Sequence, residues 1–285
     1  MRNAQTRVYQ KRKWVDWVMR SWCIAATLLA VIPLFSVLTY VLVKGIGGLS
    51  WNFFVELPRP VGELGGGVGN AIVGSFVLLG IASAFGIPVG VLGGVYLSEF
   101  GSNRFGKAVR FCAEVMAGIP SILIGIFIYT WVVLSMGSPS ALAGGMALSI
   151  LMLPTIIRTT EELIKLVPNS LREAGLALGM ARWRVILRVV LPAGMSGIAT
   201  GVMLAIARAF GETAPLLFTA GYNRFWSVSL DKRISSLPVQ IYEYASSPYE
   251  EWHQQAWTAA LILVLIVLIL NIAAKLLTGS RSHTR

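Results

Sequence analysis

The sequence predicts an all-α, polytopic membrane protein with six transmembrane helices. The chain has 285 residues, of which 55% are hydrophobic and 13% are charged, and its mean hydropathy is +0.70. Soluble domains are less apolar and carry about 25% charged residues. Six apolar runs also approach or exceed the length of about 20 residues that a helix needs to cross a bilayer. This composition excludes an ordinary soluble enzyme or binding module.

The predicted spans share high hydropathy and near-bilayer length, and they cover about residues 22–43, 68–98, 111–134, 141–158, 193–220 and 256–274. They form one transmembrane domain over about 22–277, between a basic segment at 1–21 and a tail at 278–285. Trp14 and Trp17 lie among the cations of the first segment, which favours a short interfacial helix before the first span.

Small residues recur at helical spacing inside the second span. Gly86, Gly90 and Gly94 stand four residues apart, and Gly197 and Gly201 repeat this spacing in the fifth span. Glycines on one helix face allow the backbones of two helices to approach closely. We expect these faces to pack against other helices of the same chain rather than against another subunit.

The distribution of positive charge predicts the orientation in the membrane. Eighteen Lys and Arg residues fall in segments assigned to the inside and five in segments assigned to the outside, and Arg208 remains within a span. Cytoplasmic connections are enriched in Lys and Arg. Both termini and the connection 161–192 are therefore expected in the cytoplasm, and the connection 221–255 outside. The net charge of +11 is then explained by membrane topology; membrane lipid is an expected partner and nucleic acid is not.

The connection 161–192 is the longest polar interruption of the apolar sequence, and it predicts two short helices joined at a glycine. Ser170 followed by Glu173 matches a capping box, which predicts that the first helix begins near Leu171. Gly179 is suited to the left-handed turn that ends a helix. The result is a compact helical surface beside the bilayer.

A second short helix is predicted over about residues 181–190. It carries three arginines and ends before Pro192, because proline disfavours helical geometry at the preceding Leu191. Two amphipathic helices beside a bilayer offer a surface that a soluble partner can bind. The alternative is an interfacial loop that only holds the topology by its charge.

The fifth span contains a pair of opposite charges. Arg208 and Glu212 are four residues apart, hence on one helical face, in a segment otherwise rich in Ala, Gly, Leu, Ile and Phe. An arginine at the centre of a spanning helix costs about 2.5–3.5 kcal/mol. The pair either fixes this helix in its bundle or lines an anion path, in which the planar guanidinium suits phosphate. Residue chemistry alone leaves both interpretations open.

The connection 161–192 also resembles the cytoplasmic EAA loop of bacterial ABC importer permeases. The matching positions are Glu173, Ala174, Gly175, Gly179, Leu191 and Pro192. In that family the loop docks on a separate ATPase subunit, so the resemblance implies this coupling role here. Gly175 departs from the usual pattern, which has alanine at that position.

A longer resemblance narrows the family to the PstA permeases of phosphate importers. It rests on residues 207–220 (ARAFGETAPLLFTA), with further agreement at 65–75, 118–125, 148–162 and 237–244. The resemblance implies the type I ABC importer permease fold with both termini in the cytoplasm of a bacterial inner membrane. It also implies that Arg208, Glu212 and Arg158 belong to the substrate pathway.

The same resemblance implies a division of roles among subunits. A PstC-like permease would pair with this chain, two PstB-like ATPase subunits would hydrolyse ATP, and a PstS-like periplasmic protein would deliver phosphate. This chain is then expected to be noncatalytic and to bind no metal and no cofactor, with ATP and magnesium held by the ATPase. The glycines before Ala108 are no phosphate-binding loop, because alanine replaces the hydroxyl residue that would hold magnesium.

Other functions remain as alternatives to phosphate import by an ABC system. The chain could serve an ABC importer for another oxyanion, or it could be an ion-coupled phosphate carrier that needs no ATPase. An intramembrane enzyme is disfavoured, because His253 and His283 are isolated and no nucleophile stands beside a base.

Overall fold

The computed structural model describes residues 2–60, 62–63 and 65–279, and within those residues it contains helices and no strand. The predicted tail 278–285 lies outside the described residues from position 280 on. In chain order the helices are α1 (Arg2–Ile46), α2 (Trp51–Val55), α3 (Gly69–Phe100), α4 (Arg104–Gly118), α5 (Ser121–Ile128), the π-helical turn π1 (Tyr129–Val133), α6 (Leu134–Met136), α7 (Ala141–Lys165), α8 (Asn169–Ala177), α9 (Arg182–Val185), the π-helical turn π2 (Ile186–Val190), α10 (Leu191–Phe210), α11 (Ala214–Thr219), α12 (Leu237–Ala245) and α13 (Glu250–Gly279).

Among the described residues, five helices are long and apolar enough to cross a membrane, and a bent helix pair makes a sixth. These spans are Arg12–Ile46, Gly69–Phe100, Ala141–Lys165, Arg182–Phe210 and Glu250–Ala273, with Arg104–Gly118 and Ser121–Met136 as the bent pair. The predicted all-α fold with six spans is therefore confirmed. The fourth span, predicted over 141–158, continues to Lys165 in the structure.

The basic N-terminal segment does not form a separate interfacial helix. Helix α1 runs without interruption from Arg2 to Ile46 and includes the predicted first span. The physical reason is that no Gly or Pro occurs before Pro33 to break the helix. Helix α1 packs against α13, and its hydrophobic side chains are largely exposed on the other sides.

The third span is bent rather than straight. Helix α4 and the segment Ser121–Met136 meet at an angle of 106°, where the sequence prediction had one helix over 111–134. Ile119 is extended, with φ −73° and ψ 131°, because it precedes Pro120. Helix α4 begins at a side-chain cap, in which Asn103 Oδ1 accepts from the Gly106 amide at 2.7 Å.

The fifth span is displaced along the sequence from its predicted position at 193–220. A continuous helix runs from Arg182 to Phe210, and Gly211 to Thr213 then separate it from α11. The prediction that Pro192 ends the preceding helix is wrong. Leu191 is helical, with φ −62° and ψ −46°. The π-helical turn π2 directly precedes Leu191 and Pro192. Because a π-helical turn is wider than an α-helical one, it accommodates a proline, which lacks an amide hydrogen.

Helices α3 and α7 form the centre of the bundle, and glycine faces bring them together. A Cβ atom at Gly90 would lie 2.7 Å from Ile156 Cγ2, and one at Gly94 would lie 2.5 Å from Thr160 Cβ. Gly197 of α10 also faces α7, where an added Cβ would lie 2.8 Å from Leu163 Cδ2. The predicted packing of these glycines within the chain is confirmed.

One end of the bundle, called the Tyr244 end, is closed by α12. The connection 221–255, predicted as an external loop, contains this helix and the first turn of α13. Tyr244 is fully buried, and its hydroxyl has no hydrogen-bond partner among the described residues. Burial raises the pKa of the Tyr222 and Tyr244 hydroxyls. The opposite end, which carries α8 and α9, is called the Gly179 end.

Candidate functional site

The predicted charge pair of the fifth span is present, but in a different local structure. Arg208 lies in the last turn of α10, whereas Glu212 follows the helix end beyond Gly211. The expectation that both residues share one helical face is therefore wrong, because the helix stops at Phe210. The chain reversal still keeps the two charges close, with 3.7 Å between Arg208 Nε and Glu212 Oε1.

The Arg208–Glu212 pair lies between the buried core and an exposed surface. Ala209 and Phe210 are buried against the core, at 1% and 3% exposure, whereas the Arg208 side chain is 57% exposed and that of Glu212 is 17% exposed. An exposed guanidinium in a spanning helix is costly against lipid. This surface therefore needs water or another protein beside it. It offers up to five N–H donors to an anion, only loosely engaged by Glu212.

Arg158 lies at a different depth from Arg208. Gly201 of α10 is in contact with Thr159 of α7, and Arg208 lies about 10 Å further along the axis of α10 at 1.5 Å per residue. Arg158 Nε donates to Glu162 Oε1 at 3.1 Å, and both side chains are 63% exposed. The structure thus does not bring Arg158 and Arg208 into one site.

Arg158 instead lines a charged cavity of about 190 Å³ near the Gly179 end. The other ionisable residues that line it are Arg110, Glu114, Glu161, Glu162 and Lys165. Glu161 is buried at 6% exposure and accepts from Arg110 Nε at 2.7 Å and from Lys165 Nζ at 2.5 Å. Opposite charges therefore neutralise one another in this cavity, and Arg158 stands at its exposed edge.

The predicted helix–glycine–helix arrangement is confirmed at the Gly179 end. Helix α8 is followed by Gly179 with φ +77°, a left-handed conformation that favours glycine. The capping box is wrong, because α8 begins at Asn169 and no side chain caps it, which leaves Ser170 inside the first turn. The Gly179 amide donates to Leu176 O at 2.9 Å and so closes the helix end.

The small residues of the EAA-like segment have distinct surroundings. Gly175 is buried, and a Cβ there would lie 3.0 Å from Val185 Cγ2, so glycine allows α8 and α9 to pack closely. Glu173 and Ala174 are exposed on the other side of α8. Leu178 is 83% exposed beside them. This exposed face of α8 is available to a partner.

Leu191 and Pro192 do not belong to that face. Both residues lie within the continuous helix Arg182–Phe210, at the start of α10. Their place in the structure follows from the turn π2, which keeps the helix unbroken across the proline. They connect the paired short helices to the fifth span without forming part of the exposed surface of α8.

Sequence reasoning missed the ion pairs that hold the Gly179 end. Arg172 donates to Glu99 Oε1 through Nε at 3.0 Å and through Nη2 at 2.7 Å, across 73 residues of sequence. Arg110 and Glu161 form a second pair across 51 residues. The sequence pattern uses the two arginines only to predict topology and gives no role to Glu99 or Glu161. A partner at such separation leaves no spacing pattern along the chain, so only the fold reveals it.

Comparison with known proteins identifies the family. The family model for the inner membrane component of binding-protein-dependent transport systems matches residues 86–281. The phosphate transport system permease protein PstA of Yersinia pestis is 43% identical over 99% of this chain and 98% of its own length. PstA of Haemophilus influenzae is 44% identical over 84% and 85% of the two chains. The chain belongs to the PstA family.

Solved structures agree on the fold of this PstA-family chain. A chain of a bacterial alginate ABC transporter matches with a TM-score of 0.67 at 17% identity, over 95% of this chain and 98% of its own. A chain of the MetNI methionine ABC transporter in inward-facing form matches with a TM-score of 0.60 at 21% identity, over 76% and 94%. The ABC importer permease fold and the PstA resemblance are confirmed. The PstA-family chain is a multi-pass inner membrane transport component.

Proposed function

We propose that this chain is the noncatalytic permease subunit of an ATP-driven importer that moves inorganic phosphate across the bacterial inner membrane. Membership of the PstA family supports the substrate, because its curated relatives are named phosphate transport system permeases. The structural observation that carries the proposal is the exposed Arg208 guanidinium at the end of α10. A fixed cation on an exposed face of a spanning helix suits passage of an anion.

Arg208 is proposed as the residue that receives phosphate in the membrane. Its planar guanidinium donates two parallel hydrogen bonds to two oxygens of a tetrahedral oxyanion, which a lysine ammonium does less specifically. Glu212 lies at 3.7 Å and is the competing acceptor. Because this carboxylate and phosphate share one guanidinium, Glu212 limits how tightly phosphate binds and so favours its release.

Arg158 is proposed as a second pathway residue nearer the Gly179 end. Its side chain is 63% exposed at the mouth of the charged cavity, and its bond to Glu162 is an exposed pair. Exposed pairs of this kind contribute only about 0–1 kcal/mol, so the guanidinium can exchange its partner. Phosphate that leaves Arg208 would meet Arg158 next, about 10 Å further along the bundle.

The Gly179 end is proposed as the cytoplasmic face that docks on the ATPase. The exposed side of α8, with Glu173, Ala174 and Leu178, would contact a PstB-like subunit. Gly175 and Gly179 set the packing and the turn between α8 and α9. Leu191 and Pro192 would carry movement of α9 into α10. Both termini then lie in the cytoplasm, and the Tyr244 end faces outward.

The complete importer is proposed to contain four kinds of subunit. A PstC-like permease would pair with this chain and cover its exposed apolar faces. Two PstB-like ATPase subunits would bind ATP and magnesium, so that this chain binds no cofactor itself. A PstS-like periplasmic protein would deliver phosphate at the Tyr244 end. ATP binding would close the ATPases and open the permeases outward, and hydrolysis would restore the inward-facing state.

The proposal is tested by uptake of labelled phosphate in cells that lack only this chain. Returning the chain should restore uptake of phosphate and leave uptake of sulfate and molybdate unchanged. Restored uptake of another oxyanion would overturn the phosphate assignment. Restored phosphate uptake in cells that also lack the ATPase would overturn the ATP-driven mechanism in favour of an ion-coupled carrier.

A further inference from the structure

Two arginines at the Gly179 end connect helices in a reciprocal way. Arg172 of α8 pairs with Glu99 of α3, and its remaining N–H groups donate to carbonyl oxygens at the end of α7. Nη1 donates to Val167 O at 2.5 Å, and Nη2 donates to Ile164 O at 3.0 Å. Arg172 therefore caps the C-terminus of α7 while it holds a carboxylate of α3.

Arg110 does the same with the two helices exchanged. It pairs with Glu161 of α7, and it donates to carbonyl oxygens at the end of α3. Nη1 donates to Gly101 O at 2.8 Å, and Nη2 donates to Leu97 O at 2.8 Å. Each arginine thus caps one of the two central helices and binds the carboxylate of the other. We call these four residues, Glu99, Arg110, Glu161 and Arg172, the double clasp.

The double clasp is shielded from solvent. The side chains of Glu99 and Glu161 are 7% and 9% exposed, and those of Arg172 and Arg110 are 19% and 31% exposed. Breaking an ion pair with a nearly buried carboxylate is costly, because the carboxylate loses a partner where little water reaches it. Since α3 and α7 also interlock through Gly90 and Gly94, the two helices form one rigid unit.

Arg172 is the member of the double clasp that lies on α8, in the EAA-like segment. Helix α8 is otherwise joined to α7 by the short connection after Lys165, and to α9 by the left-handed turn at Gly179 and the packing of Gly175 against Val185. Arg182 of α9 adds a contact to α3, in which Nη2 donates to Glu99 O at 3.2 Å and the guanidinium lies 4.9 Å from the centre of the Phe100 ring. Both short helices are thus attached to the end of α3.

We infer that Arg172 and Glu99 are positioning residues that transmit displacement of α8 directly to the rigid α3–α7 unit, which makes this unit the element moved by the ATPase. The inference rests on the proposed function. It specifies a second route of coupling. Movement of α8 is transmitted to α3 and α7 through buried ion pairs, in addition to the path along the chain through Gly179 and α10. Loss of the link lets α8 move with the ATPase while α3 and α7 stay behind.

The test compares coupling in the purified importer with Arg172→Gln, Glu99→Gln and the double variant. The measured quantity is phosphate taken up per ATP hydrolysed in proteoliposomes, at equal amounts of assembled complex. Each single variant should hydrolyse ATP and show a ratio lowered about tenfold, within the usual range of coupling between sites. The double variant should be no worse than either single variant, because both remove the same link.

Two further variants serve as controls for charge and for location. Arg172→Lys retains the charge beside Glu99 and loses the paired donors, so it should assemble and give an intermediate ratio. Glu56→Gln removes the exposed pair of Glu56 with Arg59 at the other end of the bundle and should leave the ratio unchanged.

The inference fails if Arg172→Gln and Arg172→Lys complexes keep the wild-type ratio, or if the losses of Arg172→Gln and Glu99→Gln add in the double variant. Failure of the proposed function looks different, because the wild-type complex itself would then show no ATP-dependent phosphate uptake.

Discussion

The Gly179 end and the Arg208 region use the same two side-chain types in opposite ways. In the double clasp, arginine and glutamate meet at 2.7 Å with their carboxylates under 10% exposed, and every arginine also caps a helix. At Arg208 the separation is 3.7 Å, and the guanidinium is 57% exposed. The difference shows that burial and the number of partners decide whether an ion pair fixes a structure or leaves donors free for a ligand.

The substitution expected to reduce transport most is at the exposed Arg208. Arg208→Gln removes the charged donor proposed to bind phosphate and should lower phosphate uptake by about a hundredfold, as expected for a lost charge-assisted contact of up to about 3 kcal/mol. The chain should still assemble, because the Arg208 side chain contributes little to the core. Uptake of labelled phosphate, with membrane abundance measured in parallel, checks this.

Arg208→Lys is the matched control for that variant. It keeps the positive charge and loses the planar fork, so partial uptake is expected. Wild-type uptake by Arg208→Gln would remove this residue from the phosphate path and return the pair to a structural role.

The second prediction concerns the close packing of α3 against α7. Gly90→Ala places a Cβ 2.7 Å from Ile156 Cγ2 in the α3–α7 contact and should destabilise the chain by about 1–3 kcal/mol through overpacking. Gly80→Ala is the matched control on the same helix, because nothing lies within 4 Å of its added Cβ. Thermal unfolding of the two purified variants distinguishes them. Equal midpoints would contradict the close packing of α3 and α7.

The third prediction concerns the turn at Gly179, which joins α8 and α9 within the Gly179 end. Gly179→Val forces a β-branched residue into φ +77° and should cost about 1–2 kcal/mol, which distorts the angle between α8 and α9. ATP-driven uptake should fall several-fold while the chain remains in the membrane. Gly179→Asn should retain most activity, because asparagine tolerates this conformation. The account of the turn is wrong if both variants couple equally well.

Tyr244 is a buried polar residue that carries no charge, and its substitution should change stability least. Tyr244→Phe removes a buried hydroxyl that has no hydrogen-bond partner among the described residues. Stability at neutral pH should stay constant or rise by up to about 1 kcal/mol, because an unsatisfied polar group is lost. Thermal unfolding checks this, with the half-exposed Tyr242→Phe as control. A loss above about 2 kcal/mol would mean that the hydroxyl is paired.

The same variant has a defined pH dependence. Burial raises the pKa of Tyr244 above its ordinary value of 10.0, so the folded state keeps its proton when the unfolded state begins to lose it. This contribution to stability is complete below pH 10.0 and is lost as the pH rises above it. Tyr244→Phe should therefore lose less stability than the wild type between neutral pH and alkaline conditions. Identical alkaline unfolding of both proteins would contradict the burial of Tyr244.

The sequence could predict those features that depend on local composition. Hydropathy located the six spans, glycine spacing marked a face of α3 that packs against another helix of the chain, and Gly179 marked the left-handed turn. Local patterns failed where a neighbouring turn altered the rule. The turn π2 accommodates Pro192 inside a helix, and Gly211 ends α10 before Glu212. The closure of the Tyr244 end by α12 depends on packing between segments that are distant in sequence.

The candidate site was only partly predictable for the same reason. Arg208 stood out because it is a lone cation in an apolar span. Arg172 and Glu99 did not, since each lies in a segment where a charge is ordinary and its partner is 73 residues away. The exposure of Arg208 favours the anion-path interpretation of this pair, which stays a prediction, and exposure is a property of the folded chain.

The most direct test is uptake of labelled phosphate by the purified four-component importer in proteoliposomes. ATP is present or absent on the side of the membrane that carries the ATPase subunits. The account predicts that phosphate accumulates only with ATP, that excess sulfate does not compete, and that omission of this chain abolishes uptake. Accumulation without ATP, or accumulation of sulfate in place of phosphate, would contradict it.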